Sequence, residues 1–195
     1  IILLMNYKLN LYLILFCSMI FSNNNLKFSA DYLENIIEND IEKRIFNDNV
    51  IINNKTMVLY TSKAIYEPNL QKVTLIGDVK MYDKGDSLSC NKLILYDKQY
   101  KNFESIGNVN FYKGKQYIKC EHLLYNEIPI NNDVQIKLFN SAEIIDSTRK
   151  VLGDPLIINY QDSLMKDIKI NSNAQFYNYR NAKFKKTQKY QSIED

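Results

Sequence analysis

The sequence has few of the residues on which catalytic and metal sites depend. It contains a single histidine, His122, three cysteines and no tryptophan among 195 residues. No G-x-S-x-G, P-loop or H-E-x-x-H pattern occurs, and the spacing supports no combination of serine, histidine and aspartate. The pair Cys120-x-His122 supplies two metal ligands without a second pair. The composition therefore speaks against an enzyme and predicts neither a metal nor a cofactor.

Proline and glycine are also scarce, with three and five copies. Together with an apolar content of 46%, this excludes a disordered or low-complexity chain. A net charge of +3 is too small to predict a nucleic-acid partner. Aromatic residues are plentiful, with fifteen tyrosines and nine phenylalanines, and tyrosine favours strands. The length suits one domain that is rich in β-structure.

The first 25 residues have the character of a secretory signal. Translation is expected to start at Met5, and Lys8 precedes an apolar run from Leu11 to Phe21 that is too short to span a bilayer. Two alternatives stay open: retention of the segment as a signal anchor, and lipidation of Cys17. All three place the rest of the chain outside the cytoplasm.

A unit of about 30 residues is written more than once. Gly77-Asp78-Val79 and Gly107-Asn108-Val109 begin two copies, and 107 − 77 = 30. A fixed period of this size indicates a repeat architecture. Small residues recur at the equivalent slot of four successive units: Ala30, Thr61, Cys90 and Cys120.

Each unit predicts two strands. Val73, Leu75, Val79 and Met81 share one parity, which is the period of a strand with one buried face. Glycines in line with them, Gly77 and Gly107, predict a bulge or bend. Residues 31–46 carry a competing helical spacing, but the repeat favours strand, turn and strand there.

Two repeated sets of side chains have alternative interpretations. Cys90 and Cys120 are small inward residues, or they form a disulfide if their strands are close neighbours. The tyrosine set closes the edge of a core, or it forms a binding ladder; its members are Tyr66, Tyr96 and Tyr125.

The repeated pattern resembles a known family. A G-[DN]-V start followed by L-x-[AC]-[DEN]-x-[LA]-x-Y, best seen in Leu88 to Tyr96 and Ile118 to Tyr125, is similar to the OstA-like periplasmic proteins of lipopolysaccharide transport, the LptA/LptC group. The resemblance covers roughly Phe28 to Asn126. It departs from the family where cysteine or threonine replaces the commoner alanine.

The resemblance implies an all-β fold, a twisted antiparallel β-jellyroll built from two-strand repeats of about 30 residues and preceded by an N-terminal signal or anchor helix. The expected domains are a signal segment at 1–25, an OstA-like domain at 26–180 and a basic, disordered tail at 181–195. The implied groove binds lipid acyl chains through inward residues: Val50, Ile52, Leu75, Val79, Met81, Leu93, Leu95, Val109, Phe111, Ile118 and Leu123.

The implied function is a non-enzymatic bridge in the periplasm. Its expected partners are lipopolysaccharide or lipid A, other OstA-like components at the inner and outer membranes, and further copies of itself joined head to tail. A membrane-anchored, LptC-like component of the same system is the first alternative. A ligand-free structural or adhesin-like β-repeat is the second.

Overall fold

A computed structural model describes residues 26–54, 56–96, 101–128, 133–162, 164–170, 174–178 and 185–186. The expected signal or anchor helix lies outside these residues. The all-β expectation is confirmed: apart from one 3₁₀ turn at Pro68–Leu70, every regular element in the described ranges is a strand. The strands are β1 (Lys27–Ser29), β2 (Tyr32–Glu38), β3 (Ile41–Asn53), β4 (Met57–Glu67), β5 (Lys72–Asp83), β6 (Asp86–Tyr96), β7 (Asn102–Lys113), β8 (Gln116–Ile128), β9 (Asp133–Phe139), β10 (Ala142–Ile145), β11 (Arg149–Gly153), β12 (Leu156–Gln161), β13 (Leu164–Ile170), β14 (Gln175–Asn178) and β15 (Lys185–Lys186).

The segment with helical spacing is a hairpin, as the repeat predicted. β2 and β3 pair antiparallel, from Tyr32 opposite Asn47 to Glu38 opposite Ile41. The turn between them uses Asn39 and Asp40 with φ of 51° and 62°, a conformation that short polar side chains tolerate. The helical spacing of the apolar residues does not produce a helix here, because strand pairing in the tertiary structure outweighs the local helical preference.

All strands belong to one antiparallel sheet, which is folded on itself and not closed. Each of the long strands β3 to β8 has two halves. At each end of this six-strand group, the two halves of the last strand pair with different neighbouring strands. At one end, β1 pairs with Ile51–Asn53 of β3, whereas β2 pairs with the earlier half. At the other, β8 pairs with β10 through 117–119 and with β9 through 122–128.

The sheet therefore has two layers that share six bent strands. The layer that contains β1, β10, β11, β14 and β15 is called the first layer. The layer that contains β2, β9, β12 and β13 is called the second layer. The line of bends joins the layers along one side. The opposite, open side is formed by the ends of the hairpins.

A two-residue bulge produces the bend in every second strand. Asp48–Asn49 of β3, Gly77–Asp78 of β5 and Gly107–Asn108 of β7 each lie opposite a single residue of the next strand. All six have positive φ, between 44° and 84°. Two successive left-handed residues are sterically costly for most side chains, which explains why glycine, asparagine and aspartate recur there. The predicted bulges at Gly77 and Gly107 are confirmed.

The small slot residues lie on the intervening strands, at the same bend. Thr61 Oγ1 donates to the carbonyls of Ile76 and Gly77 at 2.8 and 3.1 Å. Cys90 Sγ donates to the carbonyl of Lys92 at 3.2 Å. A small side chain with a donor thus fits the bend and satisfies carbonyls that the bulge removes from the regular ladder.

The inner faces of both layers form one apolar core. Phe28 in the first layer stacks on Phe46 in the second, with ring centroids 4.7 Å apart. Further along, Phe111 of the first layer meets Phe103 of the second edge-on at 6.3 Å. These interlayer aromatic contacts show that the two layers pack face to face.

Candidate lipid-binding interior and its open side

The structure brings all the predicted groove residues together. Each lies on the inner face of a layer, each is at most 5% exposed, and all belong to the same core cluster. The first layer contributes Val50, Ile52, Val79, Met81, Val109, Phe111 and Ile118; the second contributes Leu75, Leu93, Leu95 and Leu123. Period-two patterning placed them correctly because a single buried face fixes the parity of every strand half.

A cavity of about 200 Å³ opens into this interior from the open side. Its floor is apolar and contains Met81, Phe103 and Phe111, while its rim is polar. The rim residues are Asn54, Thr56, Asp83, Lys84, Asp86, Lys101 and Glu127. One rim atom, Asp83 Oδ1, is buried and has no hydrogen-bond partner in the described part of the chain. An apolar floor beneath a charged rim suits an amphipathic ligand.

Lys113 joins the two layers beside this cavity. Its Nζ lies 3.1 Å from Asp86 Oδ2 and about 5.5 and 5.3 Å from the ring centroids of Tyr125 and Tyr160. Burial opposes the charged form, but the contacts with Tyr125 and Asp86 favour it more strongly and raise the pKa of Lys113. A charged ammonium between two tyrosine rings contributes a cation–π clasp between β7 and the second layer.

Sequence reasoning missed this clasp. No local pattern in the sequence singles out Lys113 or Tyr160. Both residues are distant in sequence, and β12 is brought beside β9 by pairing that no local pattern reveals. The one available signal was the alternation of Leu156, Ile158 and Tyr160, which places the tyrosine on the same inward strand face as the two aliphatic residues.

The two ends of the folded sheet carry edge strands. Within the described residues, β2 pairs on one side only, with β3, and β13 pairs only with β12. Both belong to the second layer, and both expose large apolar side chains: Ile37 is 78% exposed and Leu164 is 74% exposed. Edge strands of this kind present backbone donors and acceptors to another chain.

The two repeat-slot cysteines are free and buried. Cys90 on β6 and Cys120 on β8 are separated by β7, about 10 Å from strand to strand across two strand spacings. A disulfide needs Cα atoms within about 7 Å, so the bridge that the sequence left open does not form. Burial raises the pKa of Cys90 to about 11 and that of Cys120 to about 12, which makes both thiols poor nucleophiles.

His122 has a local structural partner. Its Nε2 lies 2.8 Å from Glu104 Oε1, and Tyr96 donates to Glu104 Oε2 at 2.7 Å, on the outer face of the second layer. Burial opposes ionisation of Glu104, but these hydrogen bonds outweigh it and lower its pKa. Within the described ranges, no group of three or more histidine, cysteine, aspartate or glutamate side chains is arranged to hold a metal.

The predicted tyrosine set is divided. Tyr66 is buried and Tyr125 packs against the core, but Tyr96 points outward and is 37% exposed. Tyr66 and Tyr125 are five residues beyond their slot residues, whereas Tyr96 is six beyond Cys90. One extra residue reverses the face in a strand, so Leu95 takes the inward position.

Across the described residues, none of the helical structure is long and apolar enough to cross a membrane.

No family model matches the chain, and no curated protein matches it.

Proposed function

We propose that this protein is a non-enzymatic, periplasmic lipid-binding bridge in the export of lipopolysaccharide. In this proposal the two layers are an OstA-like β-jellyroll. The acyl chains of lipopolysaccharide or lipid A lie between its inner faces, and the ends of the sheet join other β-jellyroll proteins. A membrane-anchored component of the same system would use the same interior.

One observation carries the proposal: the same bent strands build both layers, and within the described ranges the layers are joined covalently along one side only. The open side is held by side-chain contacts such as those of Lys113. Side-chain contacts separate at far lower cost than a ladder of backbone hydrogen bonds. In the proposal the layers part at the open side while the bends keep the fold intact, and the acyl chains cover the apolar core surface that parting would otherwise expose to water.

The rim chemistry supports an amphipathic ligand. Lys84 lies on the rim and would face anionic headgroup atoms, whereas Lys101 is ion-paired with Glu127 there. The Phe103 and Phe111 rings would contact the first carbons of the acyl chains. Asp83 Oδ1 has no donor among the residues that the structure describes, and a hydroxyl of a headgroup sugar would satisfy it.

The edge strands support the partners. In a head-to-tail contact, β2 of one molecule would pair with β13 of the next, and the second layer would continue without a break. Burial of Ile37 and Leu164 would add an apolar contribution to the backbone hydrogen bonds. Chains joined in this way keep their interiors in line.

A photo-crosslinking residue tests the interior. Placed at Met81 or Phe111, it should capture lipid from the cell envelope, because both side chains line the cavity. The matched controls are Ile76 and Ile106, which lie on the same two strands but on the outer face of the second layer. Equal capture at inner and outer positions, or none at the inner ones, would contradict the proposal.

Paired cysteines test the joining. In a Cys17→Ser background, the double variant Ile37→Cys/Leu164→Cys should form disulfide-linked ladders, whereas each single variant should stop at dimers. If the double variant forms no species larger than the single variants do, head-to-tail joining is ruled out. That result does not bear on lipid binding, which the crosslinking experiment tests.

A ligand-free structural β-repeat is the second candidate, favoured by the tight filling of the interior. Leu75, Leu93 and Leu123 are 0% exposed. Extraction of the purified protein followed by mass spectrometry separates the two functions, since the structural protein would contain no lipid.

A further inference from the structure

Rows of opposed residues cross the second layer from one edge strand to the other. One inward row starts with Leu33 on β2 and passes from each strand to the residue directly opposite until it reaches Ile170 on β13. Only Ser105 interrupts its apolar side chains. Leu33 and Ile170 are partly buried against the core. Each edge strand therefore carries an apolar residue at the same level of the interior.

The neighbouring outward row starts with an acid and ends with a base. Glu34 on β2 lies opposite Ile45, and Lys169 on β13 lies opposite Ile157, at the two ends of that row. Both charged side chains are exposed, and neither forms an ion pair within the described residues. The two open edges of the second layer thus carry charges of opposite sign at the same level.

Neighbouring charges leave both side chains available. Lys43, the base on the strand beside Glu34, already has an ion-pair partner on β2. Asp167, two residues before Lys169, accepts a hydrogen bond from Asn159 at 2.7 Å. Glu34 and Lys169 can therefore each meet an opposite charge on another chain.

The two edge strands run in opposite directions. Each strand of the second layer pairs antiparallel with the next, and β13 is the tenth in the order that begins with β2. A second copy that continues the sheet in the same orientation would therefore place its β2 antiparallel to β13 of the first copy. The junction would repeat the hydrogen-bond pattern of every other pair in the sheet.

The rows define one register for this junction. When both rows continue from one copy into the next, Ile170 lies opposite Leu33 on the inner face. In the same register, Lys169 lies opposite Glu34 on the outer face. An apolar pair and a pair of opposite charges therefore form together.

Other registers lose both pairs. A slip of one residue turns the inward face of β2 toward solvent. A slip of two residues faces Ile170 with Asp31 or with Asn35, so that an apolar side chain meets a polar one. The same slip leaves Lys169 with no acid opposite it.

We propose that one copy of this protein joins the next by antiparallel pairing of β13 with β2, in the register that sets Lys169 opposite Glu34. Opposite charges directly across two strands favour their pairing, and here the ion pair selects the register. The inference rests on the head-to-tail joining of the proposed function and specifies its partner, its orientation and its selecting charges. It does not depend on lipid in the interior.

Charge reversal tests the register. Sedimentation velocity of the full chain, in reducing buffer of low ionic strength, measures its association. Glu34→Lys and Lys169→Glu should each weaken association about fivefold, because like charges then lie opposite each other. An equimolar mixture of the two variants should recover the wild-type association, since every mixed junction joins opposite charges. At about 0.5 M salt the differences should shrink.

The matched control is Lys63→Glu. Lys63 lies on the outer face of the same layer but on the interior strand β4, between β3 and β5. Its reversal should leave association unchanged. All three substituted side chains face outward, and far-ultraviolet circular dichroism should show that each variant remains folded.

The outcomes separate this inference from the proposed function. If the wild type stays monomeric, head-to-tail joining and this register both fail. If the wild type and both reversals associate equally, or if the mixture is no better than either variant alone, the register fails while the joining stands. Loss of association in Glu34→Lys but not in Lys169→Glu would indicate a contact between two β2 strands and would also overturn it. Lipid binding is tested separately by the crosslinking experiment.

Discussion

Gly107 faces Asn91 across the bend of the sheet so closely that a methyl group on Gly107 would lie 2.6 Å from Asn91 Nδ2. Gly107 also has φ of +77°. The glycine is therefore required twice, once by the backbone conformation and once by the opposing side chain. The same two requirements apply to Gly77 opposite Ser62.

Gly107→Ala should lower the free energy of unfolding by about 2 kcal/mol, from backbone strain together with the displacement of Asn91. Gly114→Ala is the matched control, because Gly114 has φ of +58° but open space around its Cα. The control should lose only about 1 kcal/mol. Urea denaturation measures both, and equal losses would show that Asn91 moves aside freely.

The buried hydroxyl of Ser105 should be dispensable. Ser105 is 0% exposed. Its Oγ lies near the sulfur of Cys90, which is a weak hydrogen-bond partner, and it forms no hydrogen bond of normal geometry among the described residues. Ser105→Ala should raise the free energy of unfolding by up to about 1 kcal/mol, because an unsatisfied polar group is removed. Thr61→Ala, which removes a hydroxyl with carbonyl partners, should instead lower it by about 1 kcal/mol. A loss of stability in Ser105→Ala as large as that in Thr61→Ala would contradict the contrast.

Cys90 and Cys120 should resist thiol reagents in the folded protein. With their pKa values raised to about 11 and about 12, almost no thiolate exists at pH 8. In a Cys17→Ser background, an aromatic disulfide reagent should label neither cysteine under native conditions and both in denaturant. Fast labelling of the native protein would show that the bend opens readily.

Glu104 should contribute stability that depends on pH. Its pKa is lowered on folding, so the contribution is present above the unfolded value of 4.5 and is lost as pH falls through the lower folded value. Glu104→Gln should cost about 1 kcal/mol or less at pH 7 and measurably less at pH 3, below the unfolded pKa. The exposed carboxylate of Glu34 provides the control, and Glu34→Gln should change little at either pH. A cost for Glu104→Gln that is the same at both pH values would rule out the linkage.

Much of the fold was open to prediction because its causes are local. The 30-residue step from Gly77 to Gly107 and the alternation of Val73 and Leu75 follow from short-range sterics and from the burial of one strand face. Inward positions such as Leu93 and Val109 could be listed for the same reason. The slot held by Thr61 and Cys90 was recognisable as small.

Other features depended on a single residue or on distant pairing. The repeat placed Tyr96 in one set with Tyr66 and Tyr125, yet the extra residue after Cys90 turns it outward toward Glu104. The free state of Cys90 and Cys120 followed from the position of β7 between them.

By itself, the sequence determined the strands, their buried faces and the points at which they bend, since parity and left-handed conformations are properties of neighbouring residues. Only the tertiary structure decided that the bends line up and fold one sheet into two layers. That alignment brings Lys113 to Tyr160 and sets Tyr82 and Tyr112 on either side of Ser87. Such contacts join residues 30 or more positions apart, and their geometry depends on strand order and register, which no local pattern specifies.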